Sequence, residues 1–212
     1  MMRPGAPMPD FIYLASQSPR RRQLLAQIGV RHEMLLAGPE EDSEALESER
    51  AGEAPEDYVE RVTRAKLGAA RARWQARGLP AAPILCADTT VALGSRILGK
   101  PADAADAQRT LAMLSGQVHR VITAVAVAHE AFEAMAVNVS KVHVAPIAED
   151  EIAAYVGSGE PFGKAGAYAI QSAAAAWISR IEGSYSAIMG LPLYETAELL
   201  RQTGLRFPAA SA

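Results

Sequence analysis

The segment Ser16–Arg22, with the sequence SQSPRRR, most constrains what this chain can fold into. It directly follows the apolar run Phe11–Ala15, which is typical of a buried strand, and apolar residues recur at helical spacing after it. Ser18 stands at the position of an N-cap. Pro19 stands at the first helical position, where a proline lacks only an N–H that would be unpaired. Because such a turn presents free N–H groups and the positive end of a helix dipole, the segment predicts an anion site, with phosphate the favoured ligand.

Three consecutive arginines in this segment strengthen that prediction. Arg20, Arg21 and Arg22 supply guanidinium groups whose N–H donors match phosphate oxygens. The alternative is a surface helix with a solvated basic first turn, but cations at that end oppose the helix dipole and stabilise nothing there. We therefore favour a phosphate site. Arg22 turns away from Ser18 along the helix and is expected to matter less.

Composition narrows the class of protein. The 212 residues are 50% hydrophobic with a mean hydropathy of +0.02, which predicts a soluble globular protein with a sizeable core. A net charge of −3 argues against non-specific binding to nucleic acid or to an anionic membrane surface. The single cysteine, Cys86, cannot form an internal disulfide, and no run has the length of a membrane span or the pattern of a signal peptide. We therefore expect a cytoplasmic protein.

Strand and helix patterns alternate along the chain and include one long hairpin. Period-two alternation predicts strands at Val118–Ala128 and Ala131–Val144, joined near His129-Glu130. Two shorter strands are predicted at Ala167–Gln171 and Trp177–Ile181. The pattern as a whole predicts an α/β fold with a mixed, twisted sheet and flanking helices.

The same reading predicts a single folded region with short frayed ends. We expect one domain, or two closely joined lobes, at residues 11–207, and tails at residues 1–10 and 208–212. A long acidic loop, Gly38–Ala54, interrupts the pattern. It contains the carboxylates Glu40-Glu41-Asp42, which are most simply a solvated charge run.

Among the other polar residues, Asp88 is the strongest candidate for chemistry. It follows the apolar run Ile84–Ala87, which places a carboxylate rigidly at the edge of the predicted sheet. Such an aspartate commonly binds a metal or acts as a base, and the alternative is a residue that caps a turn with Thr89. We favour the functional role. Lys66 and Lys100, taken alone, are typical of surface lysines.

Eight segments spread along the chain carry a family resemblance. They are LASQSPRRRQLLAQIG at Leu14–Gly29, the pair Glu40-Glu41, YVERVTRAK at Tyr58–Lys66, ADTTV at Ala87–Val91, LGKP at Leu98–Pro101, LSGQVHRVITAVAV at Leu114–Val127, KAGAYAIQ at Lys164–Gln171 and GSYSAIMGLPLYET at Gly183–Thr196. Together and in this order they resemble the Maf family of nucleotide pyrophosphatases, the septum-formation-inhibitor homologues. The resemblance covers nearly the whole chain except both tails and the acidic loop.

The resemblance implies an activity and a set of ligands. It implies two lobes around a central cleft, and hydrolysis of a nucleoside triphosphate to the monophosphate and pyrophosphate with a divalent metal, Mg²⁺ or Mn²⁺. It also implies that Ser16, Arg20 and Arg21 bind the triphosphate. It also suggests a homodimer.

The catalytic positions of the family are carried over in the same way. They match Asp88, Glu41, Lys66 and Lys100, and the resemblance implies that Glu41 and Asp88 bind the metal. Asp88 is also able to accept the proton of the attacking water, and the sequence leaves these two roles open.

Gln171 decides between branches of the family. The branch that acts on dTTP and UTP carries a glutamine after an AY-x-I stretch, and Gln171 occupies that position, where the 7-methyl-GTP branch differs. Its amide has both a donor and an acceptor for the O4/N3–H edge of thymine or uracil. The chain departs from the family at LGKP, where EKP is usual, and at Ala173–Ala176, where glycines are expected. Neither departure removes a proposed catalytic side chain.

Two alternatives stay open beside this interpretation. One is a pyrophosphatase for 7-methyl-GTP or another modified nucleotide. The other is a non-catalytic nucleotide-binding regulator of septum formation. Asp88, Glu41 and the two lysines argue against the second, because a protein that only binds needs no catalytic carboxylate.

Overall fold

The computed structural model describes residues 10–42 and 45–207, and within them the chain forms an α/β fold on one seven-stranded mixed sheet. The strands are β1 (Ile12–Leu14), β2 (His32–Met34), β3 (Ile84–Leu93), β4 (Arg96–Leu98), β5 (Val118–His129), β6 (Phe132–Val144) and β7 (Ile178–Glu182). The helices are α1 (Pro19–Gln27), α2 (Pro55–Ala76), α3 (Ala104–Leu114), α4 (Glu149–Gly157), α5 (Tyr185–Ile188) and α6 (Leu193–Gln202). Short 3₁₀ segments lie at Ala45–Glu47, Ala165–Ala167 and Ala173–Trp177. The predicted fold class is confirmed.

The sheet has the strand order β2-β1-β3-β5-β6-β7, and β4 pairs with the second half of β3. β1 is parallel to both β2 and β3, and the other pairs are antiparallel. The parallel pair β1–β3 requires a long connection, which includes the 22-residue helix α2. The central antiparallel hairpin β5–β6 was predicted from the sequence and is confirmed.

The β3 strand has an open stretch on the edge that faces β1 and β4. Leu14 of β1 pairs with Leu85, and the next strand partner on that edge is Leu98 of β4, opposite Val91. Asp88 lies in the gap between these two partners. The sequence predicts Asp88 directly after an apolar run, at the edge of the sheet; the structure places it inside β3, because β5 pairs with β3 without a break and holds it extended through this stretch.

Helices cover both faces of the sheet. Helix α2 starts at Pro55 with two acidic residues in its first turn, which favours the helix dipole. Its buried residues recur at helical spacing and pack on β3 and β5; they are Val59, Val62, Leu67 and Ala70. Helices α1 and α6 pack on the opposite face through paired leucines. Helices therefore pack on both faces of the sheet, while the open stretch along the edge of β3 stays accessible.

The strand-to-helix turn forms as predicted, with one difference. Helix α1 begins at Pro19, and Ser18 stands at the N-cap position. The Ser18 hydroxyl makes no capping hydrogen bond; instead, the Ser18 N–H donates to Oγ of Ser16 at 3.2 Å. The side chain that organises this turn is therefore Ser16.

The predicted strand at Ala167–Gln171 is wrong. Gly166 and Ala167 have φ values of +70° and +60°, which belong to the left-handed region, so the chain turns instead of extending. The segment is a turn that follows the 3₁₀ segment at Ala165–Ala167. The next strand starts at Ile178, one residue later than predicted.

The tails predicted at residues 1–10 and 208–212 lie outside the described residues, apart from Asp10. No helix in the described part of the chain has the length and apolarity needed to cross a membrane.

Candidate active site

A cleft of about 600 Å³ opens at the uncovered edge of β3. That volume is within the range of small-molecule sites. Its walls come from the α1 turn, the loop before α2, α2 itself, β3, the β4 region, the turn at residues 163–171 and the turn after α5. Most of the side chains singled out in the sequence meet here; they are Ser16, Arg20, Arg21, Lys66, Asp88, Lys100 and Gln171.

Two lysines and two carboxylates form a connected cluster on one wall. The Lys66 ammonium donates to Oδ1 of Asp88 at 2.5 Å and to Oε1 of Glu47 at 2.7 Å. The Lys100 ammonium donates to Oε2 of the same glutamate at 2.8 Å. The structure therefore brings three of the residues singled out in the sequence, Asp88, Lys66 and Lys100, together around Glu47, which was not among them.

Glu47 is held ionised by its two lysine partners. Burial acts to raise the pKa of this carboxyl, but the hydrogen bonds from Lys100 and Lys66 outweigh it and lower the pKa. The backbone carbonyl of Glu47 also accepts a hydrogen bond from the Tyr58 hydroxyl at 2.8 Å, which ties the loop to helix α2. An ionised Glu47 thus fixes both ammonium groups at the cleft.

Asp88 is 9% exposed and points from β3 into the cleft. Its Oδ1 accepts the hydrogen bond from Lys66, whereas its Oδ2 makes none within the described part of the chain. Lys66 lies on α2, directly beside the buried Leu67, so the packing of this helix against the sheet sets the lysine's position. One carboxylate oxygen is therefore left for a ligand.

Glu41, the predicted loop carboxylate, has a different environment. It is not among the residues that line the cleft. The Arg73 guanidinium donates to both of its oxygens, at 2.8 and 2.5 Å, and the Gly38 N–H donates to Oε1 at 3.0 Å. The hydrogen bonds from Arg73 hold the pKa of Glu41 at about 2. The structure does not bring Glu41 into the cluster, and this bidentate pair anchors the loop to α2.

Glu47 was missed because its proximity to Lys66 depends on how the loop folds back. One signal was present in the sequence. Leu46 is the one large apolar residue between Gly38 and Ala54, and such a residue is the natural anchor of a polar loop. In the structure Leu46 lines the cleft, and it carries the neighbouring Glu47 with it.

Arg21, one of the residues predicted to bind phosphate, uses some of its N–H donors for contacts within the protein. Arg21 donates to the Gly190 carbonyl at 2.8 Å, to Oγ of Ser16 at 3.0 Å and to Oγ1 of Thr89 at 3.4 Å. Burial lowers the pKa of Arg21, and the nearby Asp88 acts to raise it. Since a guanidinium has five N–H donors, two remain for a ligand.

The neighbouring arginines differ in their position relative to the cleft. Arg20 lines the cleft and donates through Nε to the Met189 carbonyl at 3.3 Å, with its other donors uncommitted among the described residues. Arg22 is exposed and does not line the cleft. Lys164, on the opposite turn, also lines the cleft, and burial lowers its pKa. Arg20 thus has more free donors than Arg21.

Gln171 lies at the end of the turn at residues 163–171. It is exposed, it lines the cleft, and its amide makes no hydrogen bond within the described residues. The residues just before it, Tyr168, Ala169 and Ile170, line the cleft as well. An amide that is free in this position can pair with a ligand's polar edge.

The described part of the cleft offers few side-chain ligands for a divalent metal. Among the described residues, no group of three or more His, Cys, Asp or Glu side chains is placed to hold a metal. Asp88 and Glu47, however, share the Lys66 ammonium, and the free Oδ2 of Asp88 is a hard oxygen ligand. Because Mg²⁺ is commonly bound through one or two carboxylates plus the phosphates of the substrate, Asp88 fits such an ion through Oδ2, whereas both oxygens of Glu47 already accept hydrogen bonds from the lysines.

An open sheet edge with a lysine–carboxylate cluster on one wall and arginines on another defines an α/β protein suited to a polyanionic ligand. The chain belongs to the family described as Maf-like protein, which it matches over residues 11–203. This confirms the resemblance drawn from the motifs.

Three relatives illustrate the similarity, and each is named dTTP/UTP pyrophosphatase. The chain is 60% identical over 205 residues to the protein of Burkholderia pseudomallei (strain 1710b), which covers 96% of this chain and 98% of the relative. It is 60% identical over 200 residues to that of Cupriavidus metallidurans, covering 94% of this chain and 100% of the relative. It is 59% identical over 200 residues to that of a Polaromonas species, covering 94% and 99%.

Proposed function

We propose that this chain hydrolyses dTTP and UTP to the monophosphate and pyrophosphate, a housecleaning role in the nucleotide pool. The observation that carries the proposal is the cluster of Asp88, Lys66, Glu47 and Lys100 inside the cleft. The names of the relatives support the same reaction. A nucleotide is the ligand class that matches a cleft with cations, carboxylates and a free amide.

The charges of the cleft suit a triphosphate. Such a ligand carries about four negative charges near neutral pH, and Lys66, Lys100, Arg20 and Arg21 are positioned to offset them. The two lysines meet at Glu47, which orients their ammonium groups; Glu47 and Asp88 balance the charge of the lysines, so the net positive charge of the site comes from Arg20 and Arg21. Electrostatic stabilisation of the departing pyrophosphate would come from these cations.

Asp88 is the residue we propose as the base. Its Oδ2 is free to accept the proton of a water that attacks the α-phosphorus, while Oδ1 accepts the hydrogen bond from Lys66. A divalent cation, Mg²⁺ or Mn²⁺, would add charge neutralisation and a lowered pKa of bound water. We propose that phosphate oxygens supply most of the ligands of that ion, because both oxygens of Glu47 accept hydrogen bonds from the lysines.

We propose that Gln171 recognises the base. Its free amide at the cleft can donate to O4 and accept from N3–H of thymine or uracil. Gln171→Ala should raise KM for both nucleotides and narrow their advantage over CTP by about 1–3 kcal/mol. The measurement is kcat/KM for dTTP, UTP, CTP and 7-methyl-GTP, and an unchanged ranking would contradict this role.

The reaction itself is tested with a nucleotide panel assayed for pyrophosphate release with and without Mg²⁺. Asp88→Asn should fold and lose at least ~10²-fold in kcat, because an amide neither accepts a proton nor binds metal well. Asp57→Asn, the same change on an exposed turn of α2, is the matched control. A wild type that prefers 7-methyl-GTP would support the modified-nucleotide alternative. Tight binding without turnover would support the regulatory one.

The homodimer suggested by the family resemblance stays a prediction. Light scattering of the purified protein measures its mass directly. A monomer at micromolar concentration would contradict the prediction without affecting the proposed reaction.

A further inference from the structure

The turn that carries Gln171 contains a strained residue. Ala167 has a φ of +60° although it is not a glycine, and it is fully buried. A non-glycine residue in the left-handed region costs on the order of 1 kcal/mol and persists only when its surroundings over-determine it. The Gly166 N–H donates to the Gly99 carbonyl at 3.1 Å, which fixes the start of the turn beside Lys100.

The residue that follows Ala167 in this turn, Tyr168, forms a buried polar pair with His119. His119 on β5 is 1% exposed, and its Nε2 lies 2.7 Å from the Tyr168 hydroxyl. The two rings meet edge to face with centroids 5.5 Å apart. The other ring nitrogen, Nδ1, has no hydrogen-bond partner among the described residues. The bond to Tyr168 is therefore the one hydrogen bond that compensates the buried imidazole in this part of the chain, and breaking it is costly.

Tyr168 connects this pair to the cleft. It directly follows the strained Ala167, it lines the cleft, and three residues later the chain reaches Gln171. Burial raises the pKa of Tyr168 and lowers that of His119 to about 4, so both side chains are neutral near pH 7. A buried hydrogen bond between neutral groups is stronger in this low-dielectric environment than it would be in water.

We propose that His119 is a positioning residue for base recognition: by holding the Tyr168 hydroxyl, it fixes the turn Gly166–Gln171 and thereby the orientation of the Gln171 amide. This inference rests on the proposed function. The rigid β5 strand supplies the fixed point, since His119 lies within the continuous β5–β6 pairing. His119 touches neither the lysine–carboxylate cluster nor the cleft surface among the described contacts, so its effect falls on the base and not on the phosphates.

The test separates base recognition from phosphate binding. Tyr168→Phe removes the hydroxyl and keeps the ring, and His119→Gln keeps a group able to hydrogen-bond to that hydroxyl. For Tyr168→Phe we expect KM for dTTP and UTP to rise with kcat nearly unchanged, and the preference over CTP to narrow about 3- to 10-fold. Inhibition by inorganic triphosphate, which has no base, should stay within about twofold of wild type. His119→Gln should retain more of the preference than His119→Ala.

Tyr13→Phe is the matched control, since Tyr13 is a buried tyrosine of β1 that does not line the cleft. It should leave the preference unchanged. If the wild type shows no preference for dTTP and UTP, the proposed function fails and this inference with it. Two results would refute the positioning role while the function stands. In one, the wild type prefers dTTP and UTP and Tyr168→Phe keeps that preference. In the other, Tyr168→Phe weakens inhibition by inorganic triphosphate as much as it weakens binding of the nucleotides. Thermal unfolding confirms that each variant is folded.

Discussion

Acidification should destabilise the protein through the buried His119 imidazole. Burial lowers the pKa of His119 from an ordinary value of 6.5 to about 4, so the folded protein keeps it neutral where the unfolded chain protonates it. Between these two pKa values the unfolded state binds more protons, and the free energy of unfolding therefore falls as pH is lowered. Above pH 6.5 protonation of His119 removes almost no stability, and below about pH 4 its full contribution is lost.

The magnitude follows from the gap between the two values. The full gap corresponds to about 3 kcal/mol, and lowering the pH from 7 to 5 removes about 2 kcal/mol of it. The side chain is only 1% exposed, so solvent screening does not reduce this figure. That loss is a sizeable share of the stability of an ordinary domain.

The assay is urea unfolding of the wild type and of His119→Gln across this pH range. Glutamine does not titrate, so the variant lacks this contribution while every carboxylate contributes equally to both proteins. The variant is expected to be less stable at pH 7, and the gap between the two proteins should shrink by about 2 kcal/mol at pH 5. Parallel pH dependence of the two unfolding free energies would refute the reasoning.

Three further outcomes are expected. Glu47→Gln should lower kcat more than Glu41→Gln, whose main effect should be a lower unfolding free energy, because only Glu47 joins the two cleft lysines; activity and urea assays on both variants check this. Gly166→Ala should lower the free energy of unfolding by about 2–4 kcal/mol, since the φ of Gly166 is +70° and an added Cβ would lie 2.9 Å from Val91. Gly78→Ala, at a φ of +59° with no atom within 4 Å of the added Cβ, should lower it by about 1 kcal/mol in the same thermal-unfolding assay. Arg21→Lys should lose about tenfold or more in kcat/KM, because an ammonium cannot replace three directed donors; undiminished kcat/KM would remove Arg21 from the site.

Much of the fold follows from local signals in the sequence. Helix α2 (Pro55–Ala76) has local signals at both ends, because Pro55 and the acidic first turn mark its start, and Gly78 and Pro80 follow its end. The hairpin β5–β6 is likewise encoded by alternation along its own residues. Signals of this kind need no knowledge of what packs nearby.

The misplaced features depend on distant parts of the chain. Asp88 lies inside a strand because β5 pairs along the whole of β3, which the residues around Asp88 do not reveal. The stretch after Gly166 reads as a strand, yet a contact with Gly99 and the left-handed φ of Ala167 make it a turn. The loop glutamate nearest to Lys66 is set by how the loop folds back on α2, and sequence spacing does not determine it.

The open stretch of β3 has a consequence for how the cleft responds to mutation. The carbonyls of Pro83 and Leu85 accept hydrogen bonds from Tyr13 of β1 and from Ala15 just after it. Strand alternation therefore directs the N–H and C=O groups of Ala87 and Thr89 to the same, uncovered edge. Both residues line the cleft, so part of its surface is main chain. Substituting a side chain leaves these dipoles in place. A proline at either position would instead delete an N–H there and keep the surrounding side chains, which makes backbone substitution the more sensitive probe of this wall of the cleft.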